Sequence, residues 1–218
     1  MEVSPTARAR RGRIRMTHSQ RHEQLVDVAR GLFAEKGLDG TSVEEIAAQA
    51  GVSKPVVYEH FNGKEGLYDV VVDRAVTALQ EAIAETLNAY DSPRALIEQG
   101  TITLLDFIED HPDSFRIISR DSSATAPGAS FATILSDIAS RVEDQLAEGF
   151  AKTGHDPQTA PLYAQMLVGL VALAGQWWVD NRETHPLPKP LVVAHLVNLT
   201  WYGMRGLKTD PQVHTGDE

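Results

Sequence analysis

Apolar residues recur every three or four positions through the first third of the chain, which is the spacing of one helix face. This pattern predicts a helix over Gln20–Lys36 and a short amphipathic helix over Thr41–Ala50. A third short helix follows Ser53, and its apolar residues Val57 and Phe61 lie four positions apart, so we expect both to point inward. Three short helices in about forty residues predict a small N-terminal helical domain.

The apolar period continues along a long helix predicted over Lys64–Tyr90, which joins this small domain to the rest of the chain. The other predicted helices, in chain order, are Arg94–Asp110, Asp113–Arg120, Phe131–Lys152, Ala160–Asp180 and Leu191–Leu207, with a loop over residues 121–130. No alternating strand pattern with hairpin turns interrupts them. The sequence therefore predicts an all-α fold.

The junction between the second and third helices has the residues that a tight turn requires. Ser42 with Glu45 predicts a capping box at the start of the second helix, and Gly51 can adopt the left-handed backbone that ends it. Ser53 is placed to cap the third helix, with Pro55 in its first turn. Two short helices meeting steeply in this way are typical of a helix-turn-helix, whose second helix enters a DNA major groove.

Four ordered motifs extend this interpretation to a family. They are Leu32-Phe33-Ala34-Glu35-Lys36-Gly37, Thr41-Ser42-Val43-Glu44-Glu45-Ile46-Ala47, Ala50-Gly51-Val52-Ser53, and Tyr58-Glu59-His60-Phe61 with Lys64-Glu65. Through them, residues 20–67 resemble the N-terminal DNA-binding domain of the TetR family of bacterial transcriptional regulators. The resemblance implies a three-helix helix-turn-helix domain followed by a larger C-terminal helical domain for ligand binding and dimerisation.

On this basis we divide the chain into four segments. They are a disordered basic arm (1–19), the helix-turn-helix domain (20–66), the effector-binding and dimerisation domain (67–207) and a flexible tail (208–218). The arm, with five arginines between Arg8 and Arg15, either enters a minor groove or remains a solvated tail. His18 and His22 have metal-compatible spacing, but the sequence offers no third ligand nearby. We therefore predict no metal and no cofactor.

Nine residues are candidates for DNA contact: Thr41, Ser42, Ser53, Lys54, Pro55, Val56, Tyr58, His60 and Lys64. Thr41 and Ser42 can offer hydroxyl and backbone N–H groups to a phosphate at a helix N-terminus. Lys54 suits the acceptor edge of guanine, and Pro55 and Val56 can touch a thymine methyl group. The resemblance implies phosphate contacts for Tyr58, His60 and Lys64. The alternative is that Ser42 only caps, Tyr58 only packs and Lys64 is only solvated.

The net charge of −10 is unevenly divided. Residues 1–65 carry ten Lys/Arg against nine Asp/Glu, whereas residues 66–218 carry ten against twenty-one. The acidic excess thus lies away from the DNA-binding segment. Cysteine is absent, which excludes disulfides and agrees with a cytoplasmic protein. The apolar run Met166–Val179 is about 14 residues, shorter than the roughly 20 that span a bilayer, so we expect a buried helix and no membrane.

The C-terminal domain contains two further sets of candidates. Homodimer contacts are expected in the last two helices, at Leu162, Met166, Leu170, Leu196, Leu199 and Gly203. An apolar effector site is expected at Phe107, Phe115, Arg120, Phe131, Leu135, Tyr163, Gln176 and Trp177. Any one of these residues can instead belong to the ordinary hydrophobic core.

These features predict a dimeric, ligand-responsive transcriptional regulator that binds a pseudo-palindromic double-stranded DNA operator. Repression relieved by a small, largely apolar effector is the first expectation. A regulator that activates, or that responds to a protein partner, is the alternative. No nucleophile elbow, metal motif or phosphate loop is recognisable, so we do not expect an enzyme.

Overall fold

The computed structural model describes residues 16–90, 92–120 and 131–212, and the described residues are helical with no strand. The helices are α1 (His18–Lys36), α2 (Val43–Ala50), α3 (Lys54–His60), α4 (Gly63–Ala89), α5 (Pro93–Asp110), α6 (Pro112–Arg120), α7 (Phe131–Thr153), α8 (Ala160–Asp180) and α9 (Lys189–Arg205). A 3-10 turn, Pro157–Thr159, precedes α8. The predicted all-α class is confirmed.

Helix ends differ from the predicted ones by one or two residues at most positions. α1 begins at His18 because Thr17 and Gln20 form a capping box, so residues 18–19 belong to the helix and not to the arm. α9 begins at Lys189, with Pro190 in its first turn, and ends at Arg205 instead of Leu207. The arm's residues 1–15, the 121–130 segment and residues 213–218 lie outside the described residues.

A first hydrophobic core joins α1, α2 and α3 to the beginning of α4. Leu25, Ile46, Val57 and Leu67 each have no exposed surface, and they represent one helix each. Ile117 of α6 packs into the same core. The third helix is only seven residues long, so its stability depends on this packing and not on its intrinsic helix propensity.

A second core lies among α4, α5, α7, α8 and α9 around buried residues such as Leu105, Ile108 and Ile134. α4 contributes Leu67 to the first core and Leu79 to the second, so a single unbroken helix of 27 residues serves both. α6 also serves both, through Ile117 in one and Ile118 in the other. These two helices are the physical connection between the domains.

The outer faces of α8 and α9 remain apolar and exposed. Their large exposed hydrophobic residues are Leu162, Met166, Leu173, Trp177, Leu191, Leu199 and Tyr202. Pro157–Asp180 is long and apolar enough to cross a membrane by length and composition alone. Of its most apolar 18-residue stretch, 22% is buried. The expectation that this region is too short to span was therefore wrong, because the helix extends well beyond the apolar run. In the structure α8 packs against α7 and α5 along one side.

Candidate nucleic-acid interface

The turn between α2 and α3 is fixed by backbone hydrogen bonds around Gly51. This glycine has φ 66° and ψ 36°, the left-handed region that residues with a side chain rarely adopt. Its N–H donates to the carbonyl of Ala48 at 3.1 Å, and the N–H of Val52 donates to that of Ala47 at 2.9 Å. These bonds satisfy the last carbonyls of α2 and allow α3 to leave at a steep angle.

Ser42 caps α2, but the predicted capping box is only half formed. The Ser42 hydroxyl accepts a hydrogen bond from the Glu45 N–H at 3.2 Å. The Glu45 carboxylate does not return to Ser42, because it pairs with Lys36 at the end of α1. Ser42 itself is exposed, so its hydroxyl still lies at the protein surface.

Ser53 occupies the N-cap position of α3 but its side chain makes no capping hydrogen bond. Our prediction that its hydroxyl caps the helix is therefore wrong. Pro55, in the first turn as predicted, has no N–H that would need a cap. The exposed Ser53 hydroxyl is thus available to a group from outside the domain.

The two sides of α3 differ sharply in burial. Val57 is fully buried and Phe61 is 6% exposed, as predicted, whereas Tyr58 is 51% exposed. Lys54 lies on the exposed side, with its Nζ 5.9 Å from the centre of the Tyr58 ring. Pro55 is also exposed. Together with the half-buried Val56, these residues form one outward surface, which we call the reading face (Ser53, Lys54, Pro55, Val56 and Tyr58).

Lys54 forms an ion pair with Glu44 of α2. The hydrogen bond from Lys54 lowers the pKa of Glu44, and the same contact raises the pKa of Lys54. Both side chains are about half exposed or more, so this pair contributes little to stability. Lys54 can therefore exchange Glu44 for a base edge at small cost.

Thr41 is the candidate that the structure contradicts. It is 3% exposed, and its hydroxyl donates to the carbonyl of Gly37 at 2.8 Å. The predicted hydroxyl contact with a phosphate is therefore wrong, because the side chain is buried and holds the α1–α2 connection. The sequence could not distinguish this from an exposed cap, since both use a hydroxyl just before a helix.

Lys64 binds the same connection from the other side. Its Nζ donates to the carbonyls of Leu38 at 3.0 Å and Thr41 at 3.2 Å. The ammonium has three protons, so one donor remains for an external acceptor. Lys64 thus has a structural role beside the predicted phosphate contact.

His60, the last residue of α3, packs against α1. Its ring centre lies 4.0 Å from that of His18 and 6.1 Å from that of His22. Its Nδ1 is buried with no hydrogen-bond partner among the described residues. Burial and then the neighbouring His18 lower the pKa of His60. The ring is half-buried, so the predicted phosphate contact would have to use its other nitrogen, Nε2.

Two contacts that hold these helices in place have no local signal in the sequence. Arg74 of α4 donates two hydrogen bonds, of 2.6 and 2.8 Å, to the carboxylate of Glu23 in α1. This interaction lowers the pKa of Glu23 to about 2. Arg120 of α6 donates to the carbonyl of Ala34 at 2.8 Å, near the end of α1. Both contacts join residues more than fifty positions apart, beyond the reach of local patterns.

Half of the predicted effector residues are brought together and the other half are not. Phe107 and Phe115 are buried in the second core, with Phe131 and Leu135 packed against it. Tyr163 instead packs against Phe150, with ring centres 5.2 Å apart. The other three lie in different surroundings. Trp177 is 47% exposed, Gln176 is half-buried, and the Arg120 side chain binds α1.

A cavity of about 570 Å³ lies elsewhere, between α5 and α9. Its lining residues are Arg94, Glu98, Ile102, Lys189, Pro190, Val193, Ala194, Val197, Asn198, Trp201 and Tyr202. None of the predicted effector residues is among them. The Nζ of Lys189 forms ion pairs with Asp106 Oδ1 and Glu109 Oε2, each at 2.6 Å.

Comparison with known proteins agrees with this geometry. The family model of bacterial regulatory proteins of the tetR family matches residues 25–71. The model of the tetracyclin repressor-like C-terminal domain matches residues 93–203, about half of the chain. The chain belongs to the TetR family. This family consists of DNA-binding transcriptional regulators and not of enzymes.

Individual relatives of this TetR-family protein cover most of its length. It is 29% identical over 207 residues to the HTH-type transcriptional activator FasR of Mycolicibacterium smegmatis, covering 93% of this chain and 91% of that protein. It is 26% identical to a TetR-like transcriptional regulator from Rhodococcus sp. RHA1, with a TM-score of 0.66, covering 88% of this chain and 100% of that one. The fatty acid degradation regulator FadR from Bacillus halodurans shares the fold alone, at 18% identity, a TM-score of 0.66 and coverage of 83% and 94%.

Proposed function

We propose that this TetR-family regulator binds a pseudo-palindromic double-stranded DNA operator as a cytoplasmic homodimer, and that a small, largely apolar effector releases it. The observation that carries the proposal is the asymmetry of α3. Val57 fixes one side of this helix in the core, while Lys54 and Tyr58 are about half exposed on the other. A helix held in this way can enter a major groove without unfolding its own domain.

Within this proposal the interface residues have distinct roles. Lys54 reads a guanine edge, and Pro55 with Val56 meets a thymine methyl group. Ser42, Ser53, Tyr58 and Lys64 contact phosphates, which position the helix without reading sequence. Ser42 and Lys64 flank α3 from α2 and α4, so phosphate contacts on both sides would hold α3 in the groove.

The dimer part of the proposal is supported by the exposed faces of α8 and α9. Leu173 and Leu199 are each 61% exposed, and Tyr202 is 62% exposed. Large exposed apolar residues that recur along two helices are typical of an interaction site. A second copy would cover it and would place two copies of α3 in major grooves about 34–36 Å apart.

The effector part is supported by the two helices that serve both cores. A ligand that separates α5, α7 and α8 would also displace α4, and α6 would pull on α1 through Arg120. Release requires that the effector bind the DNA-incompetent state more tightly. A 100-fold preference corresponds to about 2.7 kcal/mol.

Activation is the second candidate, because the M. smegmatis relative FasR is named a transcriptional activator. Transcription in vitro from the target promoter, with and without the protein, distinguishes repression from activation. Less transcript with the protein supports repression, and more supports activation. A regulator controlled by a protein partner would show neither a ligand-induced thermal shift nor ligand-induced release from DNA.

The test of DNA reading begins with selection of the operator from random duplexes and compares two lysine variants at several salt concentrations. Lys64→Ala should weaken binding to all duplexes and reduce the salt slope by about one unit per subunit. Lys54→Ala should lose preference at one base pair.

Lys152→Ala is the matched control, because Lys152 is 75% exposed on α7 and far along the chain from α3. Equal losses for Lys54→Ala on cognate and random duplexes would refute its reading role. Failure of the unaltered protein to bind any duplex at low salt would refute the proposed function.

A further inference from the structure

Three histidines meet where α1 begins and α3 ends. His60 lies between His18 and His22, with ring centres at 4.0 and 6.1 Å, and the ring of His22 also packs on Phe61 at 4.5 Å. His18 is exposed and His60 is half-buried. We call these three residues the histidine cluster. The cluster lies at the C-terminal end of α3, the helix that carries the reading face.

The charged groups around the cluster come from three helices. α1 contributes His18, His22 and Arg21, all of which oppose a positive charge on His60. α3 contributes Glu59, which favours one. Glu23 of α1 lies 3.4 Å from His22, but its carboxylate is already held by Arg74 of α4. The local balance in the free protein therefore disfavours protonation of His60.

We propose that the histidine cluster takes up a proton when DNA binds, so that operator affinity increases as the pH falls from about 8 to about 6. This inference rests on the proposed function. A DNA phosphate adjacent to His18 and His60 supplies the negative charge that the free protein lacks. The imidazolium then donates to a phosphate oxygen, and the charge that the cluster disfavours in solution is stabilised in the complex.

The sign follows from proton linkage. Burial and His18 lower the pKa of His60 in the free protein, and a phosphate raises it in the complex, so the complex holds more protons. Whichever state holds more protons is favoured by acid. Acid should also weaken the free fold, since the unfolded chain protonates His60 more readily. The two effects are opposite in sign and are separated by measuring binding and unfolding independently.

The test measures operator affinity by fluorescence anisotropy between about pH 8 and about pH 6 at constant ionic strength. Each proton taken up by the complex corresponds to about tenfold in affinity per pH unit, so uptake of about half to one proton per dimer gives a gain of about three- to tenfold per unit. His60→Gln and His18→Gln should each flatten this dependence. His111→Gln, an exposed histidine at the end of α5, is the matched control and should keep it.

Titration of the histidine ring protons by NMR, in the free protein and in the complex, gives the direct readout. Upward pKa shifts on DNA binding at His18 or His60 support the inference. Equal pH dependence for the unaltered protein and both cluster variants would overturn it while leaving the proposed function intact. His18 is exposed, so we expect His18→Gln to fold. This variant therefore tests the pH dependence even if His60→Gln does not fold. Absence of binding at every pH would instead overturn the proposed function and this inference together.

Discussion

The DNA-binding region and the C-terminal region differ in how completely one chain covers its apolar residues. In α1–α3 the large apolar side chains are buried, and the exposed exception, Tyr58, lies on the reading face. In α8 and α9 several large apolar residues are half exposed or more, Leu162, Leu173 and Leu199 among them. The first region is complete as a packing unit, whereas the second has an apolar face that a partner can cover.

This difference separates two sources of stability. The first core depends on contacts within the chain, so its residues should respond to truncation at any protein concentration. The outer faces of α8 and α9 depend, in our proposal, on association, so their substitution should change oligomeric state and leave the monomer fold intact. The comparison can therefore be tested one region at a time.

The largest effect is expected in the first core. Ile46→Ala removes buried methyl groups from α2 and should lower the free energy of unfolding by about 2–5 kcal/mol. Gln49→Ala, an exposed position on the same helix, is the control and should change it by less than about 0.5 kcal/mol. Urea unfolding at one protein concentration measures both. Similar midpoints for the two variants would show that the first core is not the source of stability.

The next effect concerns association. Leu173→Glu combined with Leu199→Glu should yield monomers and weaken operator binding by about 100-fold or more, because bivalent attachment is lost. Light scattering gives the mass, and circular dichroism checks the fold. Tyr90→Glu, at another exposed apolar residue outside α8 and α9, should leave the mass and the affinity unchanged. A double variant that still forms dimers would remove these faces from the proposed interface.

A smaller effect is expected at the connection between the regions. Arg120→Ala removes the donor to the Ala34 carbonyl and should destabilise the end of α1 by about 1 kcal/mol. Hydrogen exchange of the α1 amides, and the response of DNA binding to effector, measure this. Arg116→Ala is the control on the same helix, since Arg116 pairs only weakly with Asp113, at 3.9 Å. If Arg120→Ala and Arg116→Ala gave the same hydrogen exchange and the same response of DNA binding, Arg120 would not couple α6 to α1.

The smallest effect is pH-dependent. The pKa of Glu23 is lowered to about 2 by Arg74, so this pair contributes stability above the ordinary value of 4.5 and loses it as the pH falls toward 2. Near pH 7 the melting temperature of Arg74→Gln should therefore be lower than that of the unaltered protein. This gap in melting temperature should narrow toward pH 3. Arg30→Gln, which removes the exposed partner of Asp27, should show a smaller gap. A gap that does not narrow would exclude Glu23 as its origin.

Local patterns predicted the helices, because an amphipathic period and a cap are properties of neighbouring residues. The turn at Gly51 and the inward side of α3 at Val57 followed from the same signals. The burial of Thr41 did not follow from local patterns. Its hydroxyl donates to the Gly37 carbonyl, and that contact depends on how α1 packs against α2. Aromatic residues such as Phe115 and Trp177 indicated an apolar domain but not which of them meet, because that depends on contacts between distant helices.

The unbroken course of α4 has a mechanical consequence. Its 27 residues give a lever about 40 Å long, with one end in each core. A rotation of about 5° at the end in the second core would displace the other end by about 3.5 Å, close to the step between adjacent base pairs. In the proposed dimer, a movement too small to open the second core widely would therefore shift each α3 by about one base-pair step.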